Sequence, residues 1–267
     1  MKIDVFDLNG NPIQKIDIPK VFEEKVRRDL IQRAVLSSQS KRIQPIGRDP
    51  YAGKGTSAHY HGYRRHRYAM MGKEMARMPR IHGKSPPHLS MRPRFVPQTR
   101  GGRLAHPPKV EKIWEQKINK KEKRKAIISA LSATSNKELV EKRGHKVSDI
   151  KQLPLVVDDQ IQQIKKTKDV IEFLKKMGLE RELERMRIRK VRAGKGKTRG
   201  RVYKIRKGPL LIITEDKGII KAVKNIPGMD ICKIQNLSTE NLAPGAMPGR
   251  LTIFSRSAFE KINTLFK

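Results

Sequence analysis

The stretch from Lys41 to Lys109 is the feature that most limits how this chain can fold. It contains sixteen Lys and Arg residues but only two acidic ones, Asp49 and Glu74. Gly and Pro recur so often that only one short helix fits, from Tyr68 to Met78, and nothing in the stretch could bury a core. A connection this long is normally either disordered or functional. We therefore predict an extended, irregular loop over residues 41–109 and a folded body made from residues 1–40 and 110–267.

The residues before the loop carry the patterns of regular secondary structure. Hydrophobic residues make up 36% of the 267-residue chain, which is enough for a core. Apolar and polar residues alternate on both sides of a turn at residues 9–12, which predicts a strand pair containing Ile3, Val5, Ile13, Ile16 and Ile18. From Val21 to Ser37 the apolar residues recur every four positions, which is typical of a helix that covers a sheet.

The residues after the loop alternate between strand and helix patterns. The predicted strands are 153–158, 209–214, 231–234 and 251–254. The predicted helices are 119–134, capped by Asn119, then 170–177, 181–188, a short one near Ile220, and 255–266. A glycine-rich basic stretch at 193–201 is predicted to be a loop. This order predicts an α/β fold: a single globular domain with a mainly parallel sheet flanked by helices.

The charge of the chain predicts an anionic partner. Lys and Arg number 61 against 26 acidic residues, which gives a formal charge of +35. In a compact chain these like charges would repel one another and destabilise the fold unless a polyanion or counterions compensated them. A membrane surface is the less favoured partner, because the sequence lacks an apolar run long enough for a span, a secretory signal and an amphipathic helix with large apolar residues. We expect a cytoplasmic protein with no membrane contact.

The loop composition favours folded RNA over duplex DNA. The loop holds six of the seven His and four of the five Tyr residues. Aromatic rings and Arg planes stack on the unpaired bases of folded RNA, while Lys and Arg neutralise its phosphates. A non-specific DNA-binding protein remains the alternative that charge alone permits. The predicted RNA contacts, in the loop and in the second basic stretch, are Arg48, Tyr51, Lys54, His59, Tyr60, His61, Tyr63, Arg64, Arg65, Arg67, Arg92, Arg94, Lys195, Lys197, Arg199 and Arg201.

The histidines of the loop also permit a metal hypothesis, because imidazole is a common ligand of transition metals. The residues concerned are His59, His61, His66, His82 and His88. The loop has no Cys and almost no carboxylate that could complete or orient such a site. We therefore favour base stacking and phosphate contacts for these side chains and predict no metal site.

Catalytic and cofactor functions have weak support. GRDPYAGKGTS lacks the spacing of a phosphate-binding P-loop, and AGKGKT ends as the motif does but has Val191 where the motif needs its first Gly. Cys232 lies in a strand-like run and is predicted to be a buried, unreactive thiol. An RNA-modifying enzyme is the second alternative, since Asp158 and Asp159 follow a predicted strand, where α/β enzymes place their sites, but no glycine-rich cofactor turn accompanies them. We predict a non-enzymatic protein without a cofactor.

The return side of the loop carries a family resemblance. The run VPQTRGGRLAHPPK, residues 96–109, resembles the archaeal large-subunit ribosomal protein L four family. Four further matches follow in the family's order: residues 49–53, 76–80, 130–134 and 143–145. The resemblance covers essentially the whole chain. The sequence departs from the family between Gly62 and Met75, where it reads YRRHRYAMMGKEM instead of a shorter run of small residues.

This resemblance implies a place and a set of partners. An α/β body would lie on the solvent side of the large ribosomal subunit, and the loop would pass through large-subunit rRNA to the peptide exit tunnel. The partners would be rRNA, other large-subunit proteins including L twenty-two at the tunnel, and the nascent peptide. The residues expected at the tunnel tip are Arg77, Met78, Pro79, Arg80, Ile81, His82, Gly83 and Lys84. The resemblance also implies that Arg100, Arg103, His106 and Lys109 contact rRNA, which completes the predicted set of RNA contacts.

Overall fold

The computed structural model describes residues 2–265 and divides the chain into two compact units. We call the first unit the body: it contains the chain up to Arg42 and from Glu115 onwards. The second, which we call the loop unit, is Ile43–Trp114. The sequence predicted the loop over residues 41–109. No helix among the described residues is long and apolar enough to cross a membrane.

The body is built on a six-stranded sheet with the order β2-β1-β3-β8-β6-β7. Every neighbouring pair is parallel except β1 and β2, which form an antiparallel hairpin at one edge. The predicted mainly parallel sheet is therefore confirmed. The strands of this sheet are β1 Lys2–Phe6, β2 Pro12–Asp17, β3 Leu155–Val157, β6 Leu210–Ile213, β7 Asp230–Lys233 and β8 Thr252–Ser255. A separate two-stranded sheet pairs β4 Lys190–Val191 with β5 Tyr203–Lys204.

Eight α-helices accompany the strands in the described part of the chain. They are α1 Arg28–Ser40, α2 Lys120–Ser135, α3 Lys137–Lys142, α4 Thr167–Lys176, α5 Glu180–Arg187, α6 Ile219–Lys224, α7 Thr239–Leu242 and α8 Arg256–Leu265. Short helices α3 and α7 were not predicted. Asn119 does precede α2, but its side chain makes no capping hydrogen bond. The predicted end of the last helix, Phe266, lies outside the described residues.

The parallel sheet forms because its central strands are apolar on both faces. All four residues of β6 are buried, which a strand covered by helices on both sides requires. Leu210 and Ile212 belong to one core with α1, α2 and α8. Leu211 and Ile213 alternate with them and belong to the opposite core, with α4, α5 and α6. The body is thus a sheet between two layers of helices.

The second basic stretch lies at the end of a small hairpin in the body. The β4–β5 ladder pairs Val191 with Tyr203, and the Arg192 amide donates to the Val202 carbonyl at 2.8 Å. The intervening residues form turns, as predicted for a loop. The hairpin that frames them was not predicted, because each of its strands is only two residues long.

The predicted helix from Tyr68 to Met78 is wrong. Turns and bends occupy this segment instead, closed by short-range bonds such as the Lys73 amide to the Met70 carbonyl at 3.4 Å. Gly72 has a φ of +77°, which ends any right-handed helix there. Ala69 and Met70 are buried, so the apolar residues of this segment pack inside the loop unit although they are not helical.

Candidate nucleic-acid interface

The framework of the loop unit is made of three chain segments joined by backbone hydrogen bonds. The Arg80 amide donates to the His59 carbonyl at 3.2 Å, and the Ile81 amide donates to the Arg92 carbonyl at 3.0 Å. The Arg94 amide donates to the Pro79 carbonyl at 3.0 Å. Residues 79–82, which were expected at the tunnel tip, therefore form the middle segment of this arrangement.

Glycines allow two parts of the loop unit to touch: the outgoing side, which contains Gly53, and the return side, which contains Gly102. A Cβ atom on Gly53 would lie 2.5 Å from the Gly102 carbonyl oxygen, and Gly53 has a φ of +79°. A Cβ atom on Gly102 would collide with the Val96 carbonyl and lie 2.7 Å from the Thr99 Oγ1. Real side chains do not fit at such distances, so the sequence GG in the return side has a steric explanation.

The surface of the loop unit is dominated by cations without acidic partners. No salt bridge found among the described residues involves a side chain of 43–114. These side chains are free to neutralise phosphates. The exposed members of the predicted set are Arg48, Lys54, Arg64, Arg65, Arg67, Arg92, Arg100 and Lys109, and His106 is exposed as well.

Tyrosine rings project from the same surface. Tyr51 is 75% exposed and Tyr63 is 77% exposed, while Tyr60 is 42% exposed. Exposed apolar surface that is grouped together, unlike a single exposed side chain, is typical of an interaction site. The Lys54 ammonium lies 5.9 Å from the centre of the Tyr51 ring, so a charge and a stacking surface stand side by side.

Arg94 and Arg103 of the predicted RNA contacts, and Arg80 of the expected tunnel tip, are partly withdrawn from the surface. Arg80 Nη1 donates to the Met91 carbonyl at 2.8 Å, and its Nη2 donates to the Ala76 carbonyl at 3.0 Å. Arg94 Nη1 donates to the Arg100 carbonyl at 2.6 Å. Arg103 is half-buried. Arg80 and Arg94 therefore brace the fold of the loop unit with part of their hydrogen-bonding capacity.

Among the remaining residues expected at the tunnel tip, exposure differs. Arg77, Gly83 and Lys84 are exposed, whereas Met78, Pro79, Ile81 and His82 are half-buried. Gly83 has a φ of +86° and begins a bend.

Four histidines of the loop unit pack against one another, and we call them the histidine cluster. They are His59, His61, His66 and His82. The His59 and His82 ring centres are 4.2 Å apart, and His61 stacks on His66 at 4.2 Å. The Nε2 atoms of His61 and His82 are 2.7 Å apart. Desolvation, followed by the neighbouring histidines, lowers the pKa of His61 and of His82. Their ring faces meet other rings of this chain, so stacking on bases would require them to separate.

The basic tip of the body hairpin presents the rest of the predicted set. Lys195, Lys197, Arg199 and Arg201 are all exposed, and none forms a salt bridge within residues 2–265. Arg192 holds the hairpin together, because its Nε donates to the Arg201 carbonyl at 3.0 Å. The tip is a second cationic surface.

The carboxyl edge of the sheet uses its polar groups internally. Asp159 Oδ1 accepts hydrogen bonds from the Ser257 hydroxyl at 2.6 Å and from Gln162 at 2.8 Å. The Thr214 hydroxyl lies 2.8 Å from that of Ser257. The adjoining depression has a volume of about 330 Å³. Asp159 thus ties the start of α8 to the sheet, which favours a structural role over the enzymatic alternative.

The RGH run at 143–145, one of the family matches, is structural in the body. Arg143 Nη2 donates to the Pro244 carbonyl at 2.8 Å, and burial lowers the pKa of Arg143 to about 10. The buried His145 Nδ1 lies 2.7 Å from Glu182 Oε1. Burial lowers the pKa of His145, so the ring is neutral and Nδ1–H donates to the carboxylate. Sequence periodicity had placed Glu182 in a helix but gave no sign that it was buried.

Cys232 is half-buried, and burial raises the pKa of its thiol to about 11. A thiol with this pKa is not a nucleophile at neutral pH. The cysteine is therefore unreactive as predicted, but it is half-buried rather than fully buried.

Comparison with known proteins identifies the family. The model of the ribosomal protein L4/L1 family matches residues 16–265. The chain belongs to this family. It is 46% identical to the large ribosomal subunit protein uL4 of Methanosphaera stadtmanae over 267 residues, which cover 100% of this chain and 98% of the relative. It is 44% identical to the protein of the same name from Methanopyrus kandleri over 97% of each chain, and to that from Sulfurisphaera tokodaii over 100% of this chain and 95% of the relative.

The family match includes the loop unit as well as the body. The resemblance seen in residues 96–109 is thereby confirmed at the level of the family. Since the relatives are archaeal and the alignments span whole chains, the archaeal assignment is confirmed too.

Proposed function

We propose that this ribosomal protein is a structural constituent of the large subunit that binds rRNA through the loop unit and the hairpin tip. The observation that carries the proposal is the surface of the loop unit, where exposed Arg and Lys side chains without acidic partners alternate with exposed Tyr rings. Each protein–phosphate contact releases counterions, and each stacked base adds about 1–3 kcal/mol. Arg64, Arg65 and Arg67, next to Tyr63, combine both properties.

The proposal extends to assembly and to the exit tunnel. The loop unit would hold separate rRNA segments together early in subunit assembly, because one cationic surface can neutralise phosphates from more than one RNA helix. Residues 77–84 would reach the tunnel wall beside L twenty-two and face the nascent peptide. The support is the family membership and the exposure of Arg77, Gly83 and Lys84. The protein would act in the cytoplasm, within the ribosome.

The proposed role is binding, with no reaction catalysed and no cofactor. The edge of the sheet where an α/β enzyme would hold substrate is tied up by hydrogen bonds among Asp159, Gln162 and Ser257. Binding of a nucleotide or a methyl-donor cofactor to the chain would contradict this part of the proposal.

Binding to rRNA fragments at several salt concentrations tests the proposal. The triple change Arg64→Ala, Arg65→Ala and Arg67→Ala is expected to weaken binding and to reduce the slope of log K against log salt by about 2, since each lost contact to single-stranded RNA removes about 0.7. The control changes Lys168, Lys221 and Lys261 of the body to Ala, which removes the same charge from exposed positions. Equal losses of affinity and of salt slope in the two triple variants would show that the protein attracts RNA only through its net charge. Tighter binding to duplex DNA than to rRNA would favour the DNA alternative.

The tunnel placement is tested in assembled subunits. A photo-crosslinker at Arg77 or Lys84 should capture a stalled nascent peptide or tunnel-wall rRNA, whereas one at Lys168 in the body should capture neither. Crosslinks from both loop positions only to rRNA far from the tunnel would contradict it.

A further inference from the structure

We propose that His59, His61 and His82 form a binding site for a single Zn²⁺ ion, which joins the outgoing segment of the loop unit to its middle segment. The fourth position of the ion would be open to water. This site is independent of the proposed rRNA binding, because it uses rings that face one another.

The positions of the ring nitrogens carry the proposal. One nitrogen from each of the three residues lies within 4.8 Å of the other two, and the His61 and His82 Nε2 atoms are 2.7 Å apart. Tetrahedral zinc with Zn–N bonds of about 2.0–2.1 Å separates its ligand nitrogens by about 3.3 Å. Shifts of about 1 Å in the side chains therefore convert the observed arrangement into a coordination site.

The hydrogen bonding of His59 gives it the tautomer that a ligand needs. Its Nδ1 lies 3.1 Å from the Ser57 carbonyl oxygen, which can only accept. Nδ1 therefore carries the proton, and Nε2 keeps its lone pair for a metal. A backbone carbonyl that orients a ligating imidazole in this way is a common second partner in zinc sites. The lack of carboxylates, which argued against a metal in the sequence, is therefore no obstacle.

The close approach of His61 to His82 also fits a shared cation. At 2.7 Å the two Nε2 atoms fit a hydrogen bond in which one ring donates its Nε2–H to the lone pair of the other. A zinc ion would replace this bond: the donor ring would carry its proton on Nδ1 instead, and the two Nε2 atoms would separate to about 3.3 Å.

The backbone brings the site together. The hydrogen bond from the Arg80 amide to the His59 carbonyl fixes the two segments that carry His59 and His82. Tyr68 stacks on His82 with ring centres 4.4 Å apart and planes 11° apart, which limits rotation of that ring. His66 is a supporting ring rather than a ligand, because its Nδ1 accepts from the Tyr68 amide at 3.2 Å.

The chemistry of the donors selects the class of metal. Three imidazole nitrogens suit zinc and its neighbours in the first transition row, whereas Mg²⁺ and Ca²⁺ require oxygen ligands. The surrounding cations oppose any metal ion, so only strong nitrogen coordination could retain one here. A site with an open fourth position also has the form in which Co²⁺ replaces Zn²⁺ and reports its geometry by visible absorption.

The test measures Zn²⁺ binding to the untagged, full-length chain at pH 7.5. Isothermal titration is expected to give one ion per chain, and Co²⁺ should give the absorption bands of a four-coordinate site that Zn²⁺ abolishes. His59→Gln, His61→Gln and His82→Gln should each weaken binding at least 30-fold. His88→Gln and His106→Gln, which change loop-unit histidines outside the cluster, are the matched controls and should bind as the wild type does.

Several outcomes would overturn the site. They are the absence of stoichiometric binding, equal losses in the His88 and His106 variants, or unchanged affinity in the three cluster variants. Far-ultraviolet circular dichroism of each variant separates a lost ligand from a lost fold. Zn²⁺ should also slow tryptic cleavage after Arg64, Arg65 and Arg67 in the wild type but not in His82→Gln. Equal slowing in both proteins would contradict the proposed link between the outgoing and the middle segment of the loop unit.

A zinc-selective chelator separates this inference from the proposed function. If rRNA binding persists when zinc is absent, the rRNA proposal stands whatever the outcome for zinc. If zinc binds but rRNA does not, only the proposed function fails.

Discussion

Replacing Gly102 by Ala is expected to disturb the loop unit while leaving the body intact. The new Cβ would collide with the Val96 carbonyl and lie 2.7 Å from Thr99 Oγ1, so this turn must open by about 1 Å or more. The turn is held by two hydrogen bonds that involve Val96 and Thr99 and by the Gly102 amide to the Thr99 carbonyl at 3.1 Å. At about 1 kcal/mol each, their loss costs about 2–3 kcal/mol.

That cost has a measurable consequence for RNA binding. If the closed turn is the form that binds, the affinity for an rRNA fragment falls in proportion to the fraction of molecules with a closed turn. A change of about 2–3 kcal/mol in favour of the open turn therefore lowers the affinity by up to about 30- to 150-fold. Filter binding or fluorescence anisotropy at fixed salt would measure the loss. The melting temperature of the body, followed by helix circular dichroism, should stay unchanged, because every displaced atom belongs to the loop unit.

Gly55 provides the matched control in the same unit. A Cβ atom there would meet nothing within 4 Å, and Gly55 is not among the glycines with positive φ, so Gly55→Ala should bind as the wild type does. If Gly102→Ala retains full affinity, the closed turn is not the conformation that binds RNA. If both variants lose affinity equally, the effect does not come from the collision described above.

Three further predictions concern single side chains. Tyr63→Ala should weaken binding to an rRNA fragment by about 1–3 kcal/mol, because the exposed ring is available for stacking. Tyr63→Phe should bind as the wild type does, because stacking uses the ring and not the hydroxyl. Equal losses of affinity for the two variants in a binding titration would exclude stacking. Arg250→Met should lower the free energy of unfolding by about 3 kcal/mol in a urea titration, because it leaves the Gly208 and Asn241 carbonyls without their donor. Arg256→Met breaks only the exposed ion pair with Glu260 and should change the free energy of unfolding by less than about 1 kcal/mol. His145 should make the body less stable as the pH falls below about 6.5, because burial lowers the pKa of the folded ring and the unfolded chain therefore takes up the proton first. His145→Gln should flatten the dependence of the urea midpoint on pH between 7 and 5. An unchanged slope would show that other groups cause the pH dependence.

Acid should also weaken the body through Glu182. Burial by itself raises the pKa of this carboxyl, but hydrogen bonds from Arg185 and His145 hold it below its ordinary value. The stability that this carboxylate contributes is present above a pH of about 4.5 and is lost as the pH falls through the lower pKa of the folded state.

The body was predictable to a large extent because its signals are local. The buried run of β6 and the four-residue spacing of α1 are short-range patterns. The strand was predicted within one residue of its observed bounds. The helix predicted from Val21 begins only at Arg28, after a separate 3₁₀ helix at Lys20–Glu23. Helices α3 and α7 and the β4–β5 hairpin were missed because elements this short have little periodicity to detect. The helix expected at 68–78 failed because Gly72 takes a left-handed conformation and the apolar residues pack in turns.

The candidate interface was predicted as a list of residue types and not as a surface. The sequence identified the cations and tyrosines, since a nearly acid-free stretch cannot pair its own charges. It could not tell that Arg80 and Arg94 donate to backbone carbonyls, because those acceptors lie up to eleven residues away in an irregular segment.

The sequence by itself determined an anionic partner, an α/β body interrupted by a basic loop, and the family, because charge, periodicity and ordered motifs are properties of the linear chain. Only the tertiary structure decided the strand order of the sheet, the burial of Glu182 against His145, and the meeting of His59 and His61 with His82. These depend on contacts between distant residues, and His61 and His82, twenty-one positions apart, come together because backbone hydrogen bonds pair the segments that carry them.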